Sequence, residues 1–307
     1  MSETEQQTGG FRYGVRHVTP VSPISLVEFV GEQMLKELNP SLSALELVEM
    51  GSVYVDNERC LKTDRLLKAG AEVRIHTSPR RYPCPRDLRD RIVSETSESL
   101  VVDKPAGLPV HALVDNVREN LQAYLEDLRR ETLFITHRLD VDTSGLVLFA
   151  KSADAQVRFN LAFVNGAVKR TYAAYVENPV APGEYIHFME PSLKAPKHVS
   201  PTETDGWQRC ALNVLSCTLL EGETSAISEG RTTWDLTTSE TMHDVYLLTI
   251  RLQTGRPQQI RAQLAALGSP IIGDASYGSS FRLTEAGSGS KAIALRASAL
   301  AFDEYAL

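Results

Sequence analysis

Residues 137–151 read His-Arg-Leu-Asp-Val-Asp-Thr-Ser-Gly-Leu-Val-Leu-Phe-Ala-Lys. The apolar run 146–150 follows the turn-forming residues Thr143-Ser144-Gly145, so the pattern predicts a short buried strand. Asp140 and Asp142 come just before this strand, at the edge of the expected sheet. An aspartate in a turn most often caps or solvates that turn, so spacing alone leaves Asp140 open to a structural or a reactive role.

Four more motifs occur in chain order around this stretch. They are Asp-Lys-Pro-Ala-Gly-Leu-Pro-Val-His at 103–111, Lys-Arg-Thr-Tyr-Ala-Ala-Tyr-Val at 169–176, Leu-Gln-Thr-Gly-Arg-Pro-Gln-Gln-Ile-Arg at 252–261, and Leu-Gly-Ser-Pro-Ile-Ile-Gly-Asp at 267–274 with Tyr277-Gly278. Together with 137–151 they resemble, in order, the motifs of the RluA-type RNA pseudouridine synthases. Each motif is weak evidence by itself, but their shared order makes coincidence a poor explanation.

The expected fold follows from the residue pattern and from the resemblance. Strand-like segments at 100–102, 146–150, 168–176 and 245–252 are separated by short helices without a regular βαβ alternation. Such a pattern favours an α+β domain around a mixed, largely antiparallel sheet. The resemblance implies the same architecture, the pseudouridine synthase fold.

The resemblance also implies roles for particular residues. Asp140 would be the catalytic aspartate, and Arg261 would pair with it through a fixed fork of donors that keeps it ionised. Tyr172 would offer a flat face for stacking the uracil and a phenol near the carbon-5 proton. The substrate-binding residues would be Arg138, Leu146, Ile260, Arg256, Lys104 and Lys169. Among these, Arg138 would enter the stack that an extruded uridine vacates, and Leu146 and Ile260 would wall the base pocket.

The reaction implied by the resemblance needs little equipment. It breaks the bond between the sugar and ring nitrogen 1, rotates the uracil and rejoins it through ring carbon 5, so no cofactor and no metal are expected. It requires a carboxylate, a way to hold the free base and an acceptor for the carbon-5 proton. The sequence leaves open whether Asp140 attacks the base or the sugar, or acts as a base on the sugar.

Two other functions remain open at this point. The first is a non-catalytic RNA-binding or ribosome-assembly protein that keeps the fold. The second is an aspartate-dependent hydrolase of nucleosides or glycosides. The hydrolase is disfavoured because Asp140 and Asp142 share one turn, whereas glycosidases set their carboxylates roughly 5 to 9.5 Å apart across the substrate.

Composition sets the outer bounds. The chain has 307 residues, of which 42% are hydrophobic and 23% charged, as in ordinary globular proteins. The polar amino terminus and the lack of a long apolar run predict a cytoplasmic protein without membrane contact. The resemblance implies that it acts on rRNA or tRNA, and we expect a monomer. The net charge of −7 arises mostly from residues 181–244, which hold ten acidic and four basic residues. The cysteines lack C-x-x-C spacing and are expected to be reduced thiols.

The domain organisation is predicted from punctuation and capping. An Arg- and Pro-rich segment at 79–92 is expected to be a linker whose arginines are either solvated or able to touch phosphate. Before it, residues 1–78 carry two S-x-x-E capping boxes and short strands, resembling the RNA-binding module named after ribosomal protein S4, after a tail at 1–20. After it, residues 93–307 would form the catalytic domain.

Two stretches depart from the family pattern. Gln258 stands where the family usually has a histidine, so hydrogen bonding is kept but a group that titrates near neutral pH is lost. The acidic stretch 181–244 looks long and irregular, with loops expected at 221–225 and 228–230.

Overall fold

A computed structural model of the chain describes residues 14–36, 42–82, 84, 87–192, 194–221, 226–236, 244–286 and 289–302. The chain divides into two compact units. The first comprises Met1–Pro83 and His111–Ala123, and the second comprises Cys84–Val110 and Tyr124–Leu307. The predicted division at 79–92 places His111–Ala123 in the catalytic domain, whereas these residues belong to the first unit. The S4-like identity of the first unit stays a prediction.

The first unit is a small α/β assembly. Its elements are β1 (Val15–Val18), β2 (Ile24–Ser25), α1 (Leu26–Met34), α2 (Ala44–Glu49), β3 (Val53–Val55), β4 (Glu58–Arg59), β5 (Leu66–Leu67) and β6 (Val73–His76). A sheet in the order β1-β6-β3-β4 packs its Val and Ile side chains against both helices, and this forms the core of the unit.

Both predicted helix starts of the first unit are confirmed. Ser25 caps α1 by accepting a hydrogen bond from the Glu28 amide at 3.3 Å. Ser43 and Glu46 form a reciprocal capping box at α2, in which each side chain accepts from the other residue's backbone amide. The predicted end of α1 at Pro40 lies outside the described residues.

The second unit carries a large sheet with helices packed against it. Its elements, with the helix that enters it from the first unit, are β7 (Ile92–Glu95), β8 (Ser99–Lys104), α3 (Leu121–Arg129), β9 (Phe134–Ile135), β10 (Ser144–Ala150), α4 (Ala153–Val164), β11 (Val168–Val176), β12 (Gly183–Met189), β13 (Val199–Ser200), β14 (Gln208–Leu220), β15 (Ala226–Glu229), β16 (Thr232–Leu236), β17 (Val245–Leu252), α5 (Gln259–Ala266), β18 (Leu283–Glu285), β19 (Lys291–Ala292) and β20 (Leu295–Phe302). Short 3-10 turns span Leu88–Arg91 and Ala275–Tyr277.

The strand order explains how distant motifs meet. The main sheet runs β13-β12-β14-β17-β11-β20-β10-β8-β7, with β9 alongside β10. Among the described pairs of this sheet, β10 with β20 is parallel and the others are antiparallel. The predicted α+β fold around a mixed, largely antiparallel sheet is therefore confirmed.

Two helices pack against this sheet. On α4, Ala155 and Phe159 pack on Leu148 and Ala150 of β10. On α5, Ala262 packs with Met189 and Cys210 of β12 and β14. The α5 contact matters for function, because it fixes the helix that carries Ile260 and Arg261.

The prediction of irregular structure at 181–244 was wrong over much of the described part. This stretch contains β12, the long strand β14 and the hairpin β15–β16, and Ser228–Glu229 lies within β15 rather than in a loop. The predicted loop residues 222–225 lie outside the described residues. The burial of β14 does not alternate regularly along the strand, which is why the sequence did not reveal it.

Among the described residues of the predicted linker, the arginines that contact a carboxylate are Arg80, Arg81, Arg89 and Arg91. Arg81 makes a two-pronged contact with Glu119, at 3.0 and 2.7 Å. Arg89 binds Asp87, and Arg91 binds Glu285 at 3.2 Å. The side chains of Arg81 and Arg89 stay exposed, at 54% and 70%. No helix of the described residues is both long and apolar enough to cross a membrane.

Candidate active site

The turn 137–143 is held in place at both ends. The His137 Nε2 accepts a hydrogen bond from the Leu148 amide at 3.0 Å, and the ring packs on Phe163 at 4.8 Å. Burial, with the nearby charge of Arg170, lowers the pKa of His137 to about 3, so the ring is a neutral acceptor. The Thr143 amide donates to the Asp140 carbonyl at 3.2 Å. The side chain of Asp140 is therefore presented from a fixed turn.

The two aspartates of the turn have different partners. Asp140 Oδ2 lies 3.5 Å from Nη1 of Arg261, and its side chain is 23% exposed. Asp142 Oδ2 lies 3.4 Å from Nζ of Lys291, and its side chain is 22% exposed. Similar exposure with separate cations means that the two carboxylates do not act as a pair.

Arg261 makes its two-donor contact with Asp274 and not, as expected, with Asp140. Its Nε and Nη2 donate to Asp274 at 2.6 and 2.9 Å, while Nη1 makes the single, longer contact to Asp140. Burial alone would lower the pKa of Arg261, but the bonds to Asp274 raise it above its usual range. Asp274 orients the arginine, and the arginine offers its remaining arm to Asp140.

Gln258 and Tyr277 support the same arginine from the other side. The Tyr277 hydroxyl donates to Gln258 Oε1 at 2.6 Å. The guanidinium carbon of Arg261 lies 4.9 Å from the centroid of the Tyr277 ring, a cation–π contact. Gln258 precedes α5 in a left-handed conformation with φ of 61°. The amide thus carries out a hydrogen-bonding role that needs no titratable ring.

Tyr172 lies in the middle of β11 and is 7% exposed. Burial, partly opposed by Arg170 and helped by Asp140, raises the pKa of Tyr172 to about 12. The phenol therefore keeps its proton at neutral pH. A stacking face and a hydrogen-bond donor are available here, whereas a phenolate base is not.

An open cavity of about 190 Å³ brings these side chains together. Six of the predicted residues line it, namely Arg138, Asp140, Tyr172, Arg256, Ile260 and Arg261. Its other lining residues are Leu139, Thr143, Arg170, Leu252, Gly255, Pro257, Gln258, Gln259 and Leu295. Arg138 and Arg256 are exposed. The charged groups of the lining are four arginines against one aspartate, so the cavity attracts anions.

Three predicted substrate-binding residues do not reach the cavity. Lys104 is fully buried, and its Nζ donates to the carbonyls of Pro105, Leu108 and Val141 at 2.9, 2.7 and 3.0 Å. The prediction that Lys104 binds substrate is therefore wrong, since all three donors are used. Lys169 is exposed on the face of β11 opposite to Tyr172, and Leu146 is half-buried on β10 outside the lining.

Three residues at or next to this site were not predicted from the sequence. Asp274 and Tyr277 stood in a recognised motif without a role, and only the return of the chain after α5 brings them to Arg261. Arg170 carries a signal in hindsight, because it shares the strand face of Tyr172. Among the described residues, no cluster of three or more His, Cys, Asp or Glu could hold a metal ion.

Comparison with known proteins gives one consistent family. Residues 98–266 match the family model described as RNA pseudouridylate synthase. The chain is 34% identical over 235 residues to RNA pseudouridine synthase 6, chloroplastic, of Arabidopsis thaliana, covering 71% of this chain and 47% of that protein. It is 28% identical over 264 residues to ribosomal large subunit pseudouridine synthase D of Xanthomonas campestris, covering 82% of this chain and 72% of the relative.

A solved structure shares the fold. The human RNA pseudouridylate synthase domain containing 1 superposes with a TM-score of 0.52 at 19% identity, covering 72% of this chain and 80% of that one. The chain spans about half the length of the first curated relatives that it matches.

Proposed function

Because this chain belongs to the RluA-type RNA pseudouridylate synthase family, we propose that it isomerises uridines of a structured RNA to pseudouridine, with Asp140 as the catalytic carboxylate. The observation that carries the proposal is the contact of Arg261 with Asp140 across 121 residues of chain, inside a cavity that Tyr172 and Ile260 also line. A purely structural aspartate in a turn would not need a buried arginine held in place by a second carboxylate.

The reaction is an internal rearrangement in which atoms balance without a co-reactant. The bond between ring nitrogen 1 and the sugar breaks, a bond from ring carbon 5 to the sugar forms, carbon 5 loses a proton and nitrogen 1 gains one. Asp140 supplies the carboxylate, either as a nucleophile or as a stabiliser of positive charge at the sugar, or as a base on the sugar. Its partner Arg261 donates to it from inside the cavity and so orients the carboxylate.

The freed uracil must stay in place while it rotates. The neutral ring of Tyr172 and the side chain of Ile260 offer apolar surface for its faces. We propose that Tyr172 stacks on the uracil with its phenol near the carbon-5 proton; burial raises the pKa of that phenol to about 12, so it is protonated before substrate binds.

We propose rRNA or tRNA as the substrate class. One relative is named for the large ribosomal subunit, which favours a structured RNA without identifying it for this chain. A uridine in a stem must leave its stack at a cost of about a few kcal/mol. Arg138 is exposed at the cavity and two residues before Asp140, which suits it to fill the vacated space.

The test is the loss of activity on removing one carboxylate charge. Transcripts of rRNA and tRNA, made with uridine only, are incubated with the protein, and pseudouridines are mapped at single-nucleotide resolution. We expect Asp140→Asn to lower the rate by at least about a hundredfold while RNA binding remains. Full activity of a folded Asp140→Asn protein would refute the assignment.

Asp142→Asn is the matched control. It removes a carboxylate from the same turn with nearly the same exposure, but one that faces Lys291. We expect it to retain most of the activity. If the wild-type protein binds these RNAs and forms no pseudouridine, the alternative of a non-catalytic RNA-binding or ribosome-assembly protein replaces the enzyme.

We propose an S4-like RNA-binding module at 1–78, a linker at 79–92, a catalytic domain at 93–307, and a monomer in the cytoplasm. The plant relatives are named as chloroplastic, so the compartment needs a direct measurement. Localisation of a tagged chain and its mass in solution would test both points.

A further inference from the structure

Arg170 lies in the cavity beside the proposed catalytic groups, yet the proposed reaction gives it no role. It precedes Tyr172 by two residues on β11, so both side chains leave the same face of the strand and both line the cavity. Its positive charge affects its neighbours, since it helps to lower the pKa of buried His137 and opposes the rise in the pKa of Tyr172.

The charge of Arg170 has no carboxylate partner among the residues that the structure describes. Its Nε is buried without a hydrogen-bond partner, and its closest aromatic contact is Phe163, 5.9 Å from the guanidinium carbon. Arg261, by contrast, divides its three donors between Asp274 and Asp140. A partly buried guanidinium with an unused donor is costly unless a ligand completes it.

The neighbouring turn makes room for this guanidinium. A Cβ placed on Gly255 would lie 2.5 Å from Nη1 of Arg170. Gly255 is not among the glycines with a left-handed backbone, so its conformation does not require glycine. The crowded atom is the far end of a flexible side chain, so an added methyl group would displace the guanidinium rather than disrupt the turn. Gly255 therefore leaves the Arg170 guanidinium free to keep its present position at the cavity.

We infer that Arg170 binds a backbone phosphate flanking the uridine that enters the cavity. The inference rests on the proposed function, because it assumes an RNA substrate. Uracil is neutral, and the anions of RNA are its phosphates, whose geometry fits the planar fork of an arginine. Asp140 repels a phosphate that approaches the cavity, and Arg170 offsets that repulsion. Arg170 is thus a positioning residue that sets how the nucleotide enters.

The experiment compares two small probes that differ only in phosphate. Binding of uridine 3′,5′-bisphosphate and of uridine is measured by titration calorimetry at fixed ionic strength. We expect the wild-type protein to prefer the bisphosphate. Arg170→Met, which keeps the length and the packing on Phe163, should lower that preference by about tenfold and leave uridine binding within about twofold.

Two further variants sharpen the result. Gly255→Ala keeps the charge and only shifts the flexible end of the Arg170 side chain, so it should lower the preference by less than Arg170→Met does. Arg251→Met removes one positive charge from β17 on the opposite face of the sheet, where Arg251 is exposed and pairs with Thr171. We expect it to leave the preference unchanged. A second measurement is the binding of oligouridylate as a function of salt concentration. In Arg170→Met the slope of log K against log salt concentration should become shallower by about 0.7.

The inference is overturned if the wild-type protein binds both probes equally, or if Arg170→Met weakens both to the same extent. The measurement needs no turnover. Failure to form pseudouridine would therefore remove the proposed function alone, and a wild-type protein that depends on Asp140 for activity but shows no phosphate preference would remove the role of Arg170 alone.

Discussion

At the scale of single residues, the decisive contact is a chain of charges running from Asp274 through Arg261 to Asp140. The buried carboxylate of Asp274 takes two of the arginine's donors, which leaves one arm for Asp140 at 3.5 Å. Such a relay depends on the planar geometry of a guanidinium, which a lysine lacks. Asp274 thus fixes the position of Arg261, and Arg261 in turn contacts the carboxylate of Asp140.

Arg261→Lys should therefore lower the rate by about a hundredfold, although the charge is kept. Asp274→Asn should act in the same direction, since Arg261 would lose one charge-assisted acceptor. The measurement is the single-turnover rate on a responsive transcript, alongside a thermal melt that reports folding. Arg158→Lys, on exposed α4, is the control. A rate for Arg261→Lys within about twofold of the wild type would contradict the relay.

Lys104 acts at the same scale through the backbone. Its bond to the Val141 carbonyl fastens the residue next to Asp140, and its other two bonds fasten the loop after β8. Burial, only partly offset by Glu285, Asp142, Asp140 and Asp103, lowers the pKa of Lys104 from 10.5 to about 7. The folded protein thus binds this proton more weakly than the unfolded chain does.

The titration of Lys104 makes the stability of the folded protein depend on pH. Between pH 7 and 10.5 the unfolded chain keeps the proton of Lys104 and the folded protein loses it, so stability rises with pH across that window. Relative to Lys104→Met, the wild-type protein should gain up to about 1.4 kcal/mol per pH unit there. Urea unfolding from pH 6.5 to 10 measures this difference, with exposed Lys62→Met as the control. A difference that does not change with pH would count against the buried titration.

At the scale of elements, the first residues of β10 join the turn 137–143 to the main sheet. Gly145 has φ of 112°, and an added Cβ would lie 2.5 Å from the Ala297 amide nitrogen and 2.8 Å from its carbonyl carbon. These atoms belong to the parallel pairing of β10 with β20. The glycine is required both by conformation and by the close approach of the neighbouring strand.

Gly145→Ala should destabilise the protein by at least about 3 kcal/mol, because the backbone of β20 cannot move aside cheaply. Gly166→Ala is the matched control. Gly166 also has a left-handed φ, of 73°, but no atom lies within 4 Å of an added Cβ, so its cost should be about 1 kcal/mol. Equal losses for the two variants in chemical unfolding would show that the strand contact is unimportant.

At the scale of the second unit, a buried charge network joins segments far apart in the chain. Arg296 on β20 makes a two-pronged contact with Asp103 at 2.8 and 2.9 Å and also donates to Thr232 of the β15–β16 hairpin. Arg91 lies beside it and binds Glu285, whose pKa is raised by burial. The network links strands that share no backbone pairing.

Removing one partner of this network should cost more than removing both. Arg296→Met leaves the fully buried Asp103 unpaired and should destabilise the protein by about 3 to 5 kcal/mol. Combining it with Asp103→Leu should recover part of that loss, since no buried charge is left alone. A double-mutant cycle by urea unfolding measures the coupling, and strictly additive losses would contradict it.

Much of the local structure was predictable because its causes are local. The caps at Ser25, Ser43 and Ser152 depend on side chains three residues from the amides that they satisfy. The strands β10, β11 and β17 follow from continuous apolar or alternating runs. Strand β14 and the hairpin that follows were missed, because their residues are stabilised by neighbouring strands rather than by their own pattern.

The sequence by itself determined the family, the α+β fold and the carboxylate on which the proposed chemistry turns, because ordered motifs and short-range periodicity are written along one dimension. Only the tertiary structure decided that Asp274 orients Arg261, that Lys104 is fully buried, and that Arg170 lines the cavity with no carboxylate partner in the described part of the chain. Those facts are set by which strands become neighbours and by how much water each group loses. Neither quantity can be read from spacing along the chain.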